Sequence, residues 1–339
     1  MCVFGYGWSK CHVRKKTGVG VQLKTKSMPF LIQTHCLAHR LNLAVTNLIK
    51  RDATLKKFRE KFCKLYSYFY KSSVRVNTLK KMQDLLEEPS LSMKYPHSIR
   101  WLGLKMAVEA VYECYASVIS ALSHLRSENA KAKRLHKYFS RYQVALLIGL
   151  MFDIHTELGV LSCQLQRSTV MFSEAPALVE KTIGHLETMM VEDGESLKRM
   201  KDCIVIEDGQ AFYNGEKLTH YSEVVTDHFA QTKNTFIRKI LSNIRKRISK
   251  TDSAILTNMG RVLDPQCVSD CDKLPEILLE HFSSDKTIKV GHGALQEGDK
   301  YESTEVHVQK LIDRGQLLKE WTGVKAMMKN SYKDLQPKE

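Results

Sequence analysis

The sequence predicts a mainly α-helical protein with a small α/β segment at its N-terminus. Between Trp101 and Leu125, eight apolar residues recur at alternating steps of three and four, which places all of them on one stripe of a helix. Apolar residues keep a helical spacing over most of the chain after Ala53. The residues before Ala53 contain glycines, valines and short apolar runs, a composition typical of loops and strands.

The predicted N-terminal elements are short. Residues 16–24 (KTGVGVQLK) are of loop–strand type, and residues 29–35 (PFLIQTH) predict a short strand. From Leu37 the apolar spacing becomes helical. We expect the β structure to be confined largely to residues 1–36 and to one later hairpin. An unpaired strand edge near residues 29–35 would make the chain prone to association.

The remainder of the chain predicts helices in succession. Two stretches interrupt them: residues 201–218 predict a small hairpin around Asp208-Gly209, and residues 283–300 predict a loop or linker. In the first helix, one face carries the apolar residues Leu55, Phe58, Phe62, Leu65 and Phe69. Further helices are predicted across residues 133–166, 174–201, 223–249, 274–282 and 303–332.

Composition bounds the class of protein. A chain of 339 residues with 43% apolar content is long enough to form one large or two smaller globular domains. The most apolar segment, residues 144–165, contains Asp153, His155 and Glu157, so it predicts a buried helix and not a membrane span. The first residues do not resemble a secretory signal, and the nine cysteines are odd in number, which predicts reduced thiols in the cytosol or nucleus.

The positive charge is concentrated in the first half. Residues 1–150 contain 27 Lys and Arg and 8 Asp and Glu, a balance of +19 within the total of +15, and the remainder carries −4. Such a basic half predicts a polyanion partner such as nucleic acid, bound weakly and without sequence preference. A solvated basic surface is the alternative. The expected phosphate contacts lie in the acid-free stretch before Asp52: Lys10, Arg14, Lys15, Lys16, Lys24, Lys26 and Arg40.

Cys36 and His39 have the spacing of a metal half-site. A tetrahedral zinc site would need a second pair, and neither Cys11-His12 nor Cys267-x3-Cys271 has finger-like spacing to the first. We therefore interpret Cys36 as packed at a strand end and His39 as part of the first helical turn. No Walker-type phosphate loop is present. The sequence predicts no metal, no cofactor and no small-molecule substrate.

Several segments resemble a known family in the expected order. Residues 36–44 (CLAHRLNLA) resemble the C-x2-H-x-LNL signature of hAT-superfamily DNA transposases and the host proteins derived from them. Residues 98–101 (SIRW) look like that family's Thr-Arg-Trp segment, which opens a long helix, and residues 154–166 and 236–265 resemble later parts of its helical insertion. The likeness runs from about Lys15 to Pro275 and is nearest to vertebrate zinc-finger-associated, transposase-derived proteins in a truncated form.

The resemblance implies an RNase H-like sheet interrupted by a long all-α insertion. It implies four parts: a remnant of the RNase H-like core in residues 1–52, an all-α insertion domain in 53–282, a linker in 283–300 and a helical segment in 301–339. Family members cleave DNA with three carboxylates that hold two metal ions. The first two precede the C-x2-H element, where this chain has no acid, and no third is evident. The expectation is a protein that is not an enzyme.

The resemblance also extends the set of candidate contact residues. Cys36, His39, Arg40, Arg100 and Trp101 match positions that relatives use on the DNA-handling side. Trp101 also opens the apolar stripe, so core packing is its alternative role. With the charge argument, the expected nucleic-acid contacts are Lys15, Lys16, Lys24, Lys26, His39, Arg40 and Arg100.

Three interpretations of function remain open. The first is a non-catalytic, nuclear, transposase-derived protein that retains DNA binding. The second is a scaffold whose helical insertion docks protein partners, as in relatives that look like SUMO-ligase-type adaptors. The third is a decayed gene fragment without function. No membrane partner is expected.

Overall fold

The computed structural model describes residues 3–4, 19–33, 36–96, 101–167, 174–249, 258, 262, 276–291 and 303–333. The chain forms two compact units. Unit 1 comprises Met1–His39, Ser168–Ala177 and Lys250–Glu339, and unit 2 comprises Arg40–Arg167 and Leu178–Ser249. Helices dominate the described residues, which confirms the mainly α prediction.

Unit 2 is built from helices that follow one another closely along the chain. The first residues of two of them, the helices that begin at Leu37 and at Ala175, belong to segments of unit 1. A π-helical turn, Arg245–Ser249, follows the last helix of unit 2. The helices are α2 (Leu37–Arg51), α3 (Ala53–Tyr70), α4 (Ser73–Leu85), α5 (Trp101–Glu113), α6 (Tyr115–Leu125), α7 (Ala130–Phe139), α8 (Tyr142–Gln164), α9 (Ala175–Val191), α10 (Glu195–Asp202) and α11 (Glu223–Ile244).

Helix α8 lies in the core of unit 2. Its length and composition would suit a membrane span, but 78% of its most apolar window is buried inside the protein. Asp153 and His155 are themselves buried. The prediction of a buried helix in this segment is confirmed.

The apolar stripe predicted from Trp101 to Leu125 is divided between two helices. Its members from Leu104 to Leu122 are buried, as the spacing predicted. The helix stops at Cys114 and a second begins, because the Glu88 carboxylate accepts hydrogen bonds from the backbone N–H groups of Ala116 (3.2 Å) and Ser117 (2.8 Å). Glu88 thus satisfies the free N–H groups at the start of α6, as a capping residue would.

The predicted hairpin at residues 201–218 is confirmed and extends to three antiparallel strands. They are β3 (Ile204–Glu207), β4 (Gln210–Tyr213) and β5 (Glu216–Leu218), in the order β3-β4-β5. Asp208-Gly209 and Asn214-Gly215 make the two turns, and all four residues have positive φ. Asp-Gly and Asn-Gly pairs favour the tight turns that match the twist of paired strands.

The junction of α8, α10 and α11 contains compensated charges. The buried Asp153 carboxylate accepts hydrogen bonds from the N–H groups of Ser196 (2.8 Å) and Leu197 (2.9 Å) at the start of α10. Asp193 binds the ammonium groups of Lys201 (2.5 Å) and the buried Lys233 (2.7 Å). Burial by itself would raise the pKa of Asp193, but the hydrogen bonds from both lysines hold it below its ordinary value.

Unit 1 contains a parallel strand pair, β1 (Val3–Phe4) and β2 (Ile32–Gln33), with α1 (Val19–Lys26) between them in sequence. The short strand predicted in residues 29–35 is confirmed at Ile32–Gln33. The loop–strand prediction for residues 16–24 is wrong, since α1 is a helix from Val19. Lys24 and Lys26 lie in its last turn, where the helix dipole favours cations, and the helix packs against a later strand.

A second correction concerns the C-terminal part of unit 1. Strand β6 (Lys286–Gly291) replaces part of the predicted linker, and β7 (Ser303–Val308) replaces the start of the predicted helix 303–332. The two strands pair antiparallel, with Ile288 opposite Val306. Their apolar residues alternate with polar ones, a period-2 pattern that the charged and glycine-rich surroundings masked. The β structure is therefore not confined to residues 1–36 and 201–218.

Two helices flank this hairpin in sequence, α12 (Glu276–Ser283) and α13 (Arg314–Lys333). Leu279 of α12 and Trp321 of α13 are buried against each other, with Val262 and Leu317 packed around them. The helices predicted across 274–282 and over the later part of 303–332 are confirmed by α12 and α13.

Candidate nucleic-acid interface

A groove of about 760 Å3 opens on the outer surface of unit 2 between α3, α4 and α7. The apolar face of α3 is turned to the core, with Phe58, Phe62 and Leu65 almost fully buried, so its remaining faces can line the groove. The groove is lined by Arg59, Glu60, Lys61, Cys63, Lys64, Ser67, Tyr68, Lys71, Arg75, Lys131, Arg134 and Leu135.

The lining is strongly cationic. Seven of its residues are lysine or arginine and one, Glu60, is acidic. Within the described part of the chain, none of the seven forms an ion pair with a carboxylate. Uncompensated like charges in a concave surface raise the local positive potential and attract anions.

Arg75 and Tyr68 contact each other in the lining of the groove. The guanidinium of Arg75 lies 4.3 Å from the centre of the Tyr68 ring, and its Nη1 donates a hydrogen bond to the Tyr68 carbonyl (3.0 Å). Tyr68 is only 4% exposed. Its hydroxyl is buried, has no hydrogen-bond partner in the described part of the chain, and has its pKa raised by burial.

The pKa of Lys61 is lowered by its surroundings in the groove. Burial lowers the pKa of its ammonium group, and the nearby charges of Lys64, Lys57, Arg141 and Arg134 lower it further. Its Nζ lies 5.2 Å from the centre of the Tyr138 ring, a favourable cation–π contact. A bound polyanion would stabilise the charged form of Lys61, since the repulsion from its cationic neighbours would then be offset.

Lys131 lies at the start of α7, where the helix dipole disfavours a positive charge. Asn129 caps this helix by accepting from the N–H groups of Lys131 (2.9 Å) and Ala132 (3.2 Å). Lys131 lies in the first turn, which contains no acid. The positive end of the helix dipole repels a lysine there, so the fold gains nothing from its charge.

The residues predicted to contact nucleic acid lie elsewhere. Lys24 and Lys26 are exposed on α1 of unit 1, and His39 and Arg40 are half-buried at the start of α2. The Arg40 Nη1 donates to the Arg247 carbonyl (3.3 Å) in the π-helical turn. None of these four lines the groove.

The remaining predicted residues are only partly described. Lys15, Lys16 and Arg100 lie outside the described residues, as do Lys10 and Arg14. The backbone of Trp101 begins α5, as the resemblance implied, but its side chain is also outside the description. Cys36 is half-buried just before α2. Among the residues that the structure describes, no three His, Cys, Asp or Glu side chains are grouped around a possible metal position.

Unit 1 carries a smaller cluster around Lys24. The His281 ring lies edge-on to Phe30 and Phe282, at centroid distances of 6.4 Å and 4.7 Å. Burial lowers the pKa of His281, the nearby charges of Lys24 and Lys286 lower it further, and its hydrogen bond to the Phe30 carbonyl opposes them. His281 is therefore held neutral near pH 7, and the two lysines carry the charge of this cluster.

The groove cations had a sequence signal. Lys61 and Lys64 of the groove are three apart on α3, and Lys57, outside the lining, continues the same face four residues earlier. Lys131 and Arg134 are three apart on α7. The overall charge of residues 1–150 included them. The prediction instead favoured the basic residues before Asp52, because that stretch contains no acid, whereas α3 also carries Glu60.

No protein-family model matches the sequence, and no solved structure matches the fold. The resemblance to hAT-type transposases therefore continues to depend on the motifs in residues 36–44 and 98–101 and on their order.

Proposed function

We propose that this protein binds nucleic acid in the basic groove of unit 2 and does not itself cleave DNA. The proposal includes its origin as a domesticated derivative of a hAT-type transposase that acts in the nucleus. The origin is supported by the C-x2-H-x-LNL and Arg-Trp segments, and the lack of cleavage is supported by the absence of any acid from residues 1–51, where the family's first two carboxylates would lie.

A single observation carries the proposal. Seven cations line one groove without a carboxylate partner among the described residues, and one of them lies at a helix N-terminus that disfavours it. A fold that needed these residues only for solubility could distribute or pair them. Phosphate binding requires them to be unpaired and close together.

The RNase H-like interpretation of residues 1–52 is part of the same proposal. It is supported by the parallel pairing of β1 with β2 around α1, since parallel strands joined through a helix are the repeating unit of α/β sheets. We propose that this segment is the remnant of such a sheet and that unit 2 corresponds to the helical insertion.

Binding is tested by fluorescence anisotropy with the full chain and labelled 20-nucleotide probes over a salt series. Log affinity should fall linearly with log salt concentration, with a slope no steeper than roughly −6 on duplex DNA if all seven cations contact phosphates. Lys64→Glu with Lys131→Glu should weaken binding about tenfold or more on every sequence. It should also flatten the slope by about two.

The matched control is Lys181→Glu with Lys198→Glu. Both lysines are exposed on unit 2, lie outside the groove and form no ion pair in the described structure, so the net charge changes equally. Equal losses from the two double variants would mean that overall charge, and not the groove, attracts DNA.

The absence of cleavage is tested by incubation with Mg²⁺ or Mn²⁺ and DNA carrying hAT-type terminal repeats. We expect no product. A product that disappears when an acid of this chain is replaced would overturn this half of the proposal.

A protein-interaction scaffold is the second candidate, and the edge strand β3 favours it. Val205 and Ile206 are each 52% exposed on this strand, which pairs only with β4 in the described structure. An exposed apolar edge can receive a strand from a partner. If the groove variants leave nucleic-acid affinity unchanged, the scaffold becomes the better explanation.

A further inference from the structure

Three tyrosines form an aromatic cluster beside the groove. The rings of Tyr66 and Tyr70 on α3 are stacked, with centroids 5.0 Å apart and planes 18° apart. Tyr95 meets Tyr66 edge-on at 5.3 Å. Tyr70 is 72% exposed and Tyr95 42% exposed, so the cluster presents ring surface to solvent.

The geometry of α3 places this cluster at the border of the groove. Ser67, which lines the groove, is three residues before Tyr70, and Cys63, which also lines it, is three before Tyr66. Residues three apart on a helix are neighbours on its surface. Lys71, another lining residue, follows Tyr70 directly.

Packing does not explain the exposure of Tyr70. The core-facing residues of α3 are Leu55, Phe58, Phe62, Leu65 and Phe69, together with the flanking Tyr68. Tyr70 is outside this set, and its ring rests on Tyr66 and otherwise faces water. A flat ring held in place by a stacked neighbour is a ready surface for a nucleobase.

We propose that the groove takes single-stranded nucleic acid, with phosphates on its cations and a base stacked on Tyr70. This inference rests on the proposed function and names its substrate. In a duplex the faces of the bases are covered by their neighbours, so only an unpaired base can use the tyrosine ring. Cationic grooves bordered by aromatic rings are the general solution for binding single strands.

The inference is tested with the full chain, a labelled 20-mer of deoxythymidine and a 20-base-pair duplex. Tyr70→Ala should weaken binding of the single strand about tenfold and leave duplex binding within about twofold, because one stacked base is lost. Tyr70→Phe keeps the ring and should bind like the parent. A single strand substituted with 5-iodouracil should crosslink at Tyr70 under ultraviolet light.

Leu85→Ala on α4 is the matched control, since Leu85 is 76% exposed and lies outside the groove. It should change neither affinity. If Tyr70→Ala leaves single-strand affinity unchanged, or weakens both probes equally, this inference is wrong. The lysine variants decide the proposed function separately: if they weaken binding while Tyr70→Ala does not, the function survives without the single-strand preference.

Discussion

Two charged regions of unit 2 differ in how their charges are balanced. At the junction of α8, α10 and α11, Asp193 is bound to two lysines and Asp153 accepts two backbone hydrogen bonds. In the groove, seven cations share one acidic neighbour and form no ion pair among the described residues. The junction uses charge to hold helices together, whereas the groove leaves charge available to a ligand.

The difference separates structural from functional charge. Partly buried charges must be paired, because an unpaired one costs several kcal/mol. Exposed cations need no partner, but clustering them costs repulsion: the pKa of Lys61 is lowered first by burial and then further by the charges of its cationic neighbours. Replacing a junction residue should therefore reduce stability, and replacing a groove residue should reduce binding without reducing stability.

The largest effect is expected for Asp193→Ala. Lys233, whose side chain is 7% exposed, would lose its carboxylate and remain as a buried, unpaired ammonium group. We expect a loss of about 3 kcal/mol in the free energy of unfolding, measured by urea denaturation. Asp227→Ala, at an exposed position on α11 without an ion pair in the described structure, should change it by less than about 0.5 kcal/mol.

Gly194→Ala should have the next largest effect. A Cβ at this position would lie 2.4 Å from an Asp153 carboxylate oxygen, so the carboxylate would have to leave the N–H groups that it binds. A loss of about 1–3 kcal/mol in unfolding free energy is expected. Gly184→Ala is the control, because nothing lies within 4 Å of its Cβ in α9 and alanine should stabilise that helix by about 0.5–1 kcal/mol.

Asp193 should make the stability of unit 2 sensitive to acid, whereas burial raises the pKa of Asp153 at the same junction, so the titration of Asp153 acts in the opposite direction. The pKa of Asp193 in the folded protein is below its ordinary value of 3.8, so folding favours the ionised carboxylate. Its contribution is present above that ordinary value and is lost as the pH falls through the lowered pKa. Between pH 5 and pH 2, the free energy of unfolding should therefore fall less in Asp193→Asn than in the parent protein, as measured by urea denaturation at each pH. Identical acid profiles would show that the lysine contacts do not persist in solution.

The smallest effect is expected for Lys131→Glu, and its sign is opposite. A carboxylate in the first turn of α7 interacts favourably with the helix dipole, so stability should rise by about 0.3–1 kcal/mol. Nucleic-acid affinity should fall in the same variant. Thermal unfolding and anisotropy on one preparation test both; a variant that is less stable and binds normally would assign Lys131 a structural role.

Local patterns were sufficient for the elements that depend on nearby residues. The buried face of α3, the burial of α8 and the Asp208-Gly209 turn were all predicted, since spacing and turn chemistry act within a few residues. The charge excess of the first half was also visible. The sequence did not show which of these cations form the groove, because Arg75, Lys64 and Lys131 come together only when α3, α4 and α7 pack.

The sequence by itself determined which segments are apolar on one face, where tight turns form and which half of the chain is basic. Tertiary structure decided where helices break and which charges are paired. Glu88 ends one helix and starts another at Cys114, although the apolar stripe continues, because its carboxylate reaches N–H groups 28 and 29 residues away. The antiparallel pairing of β6 with β7 and the packing of α1 against β6 likewise join residues far apart in the sequence, so the period-2 pattern of the two strands could not by itself say what they pair with.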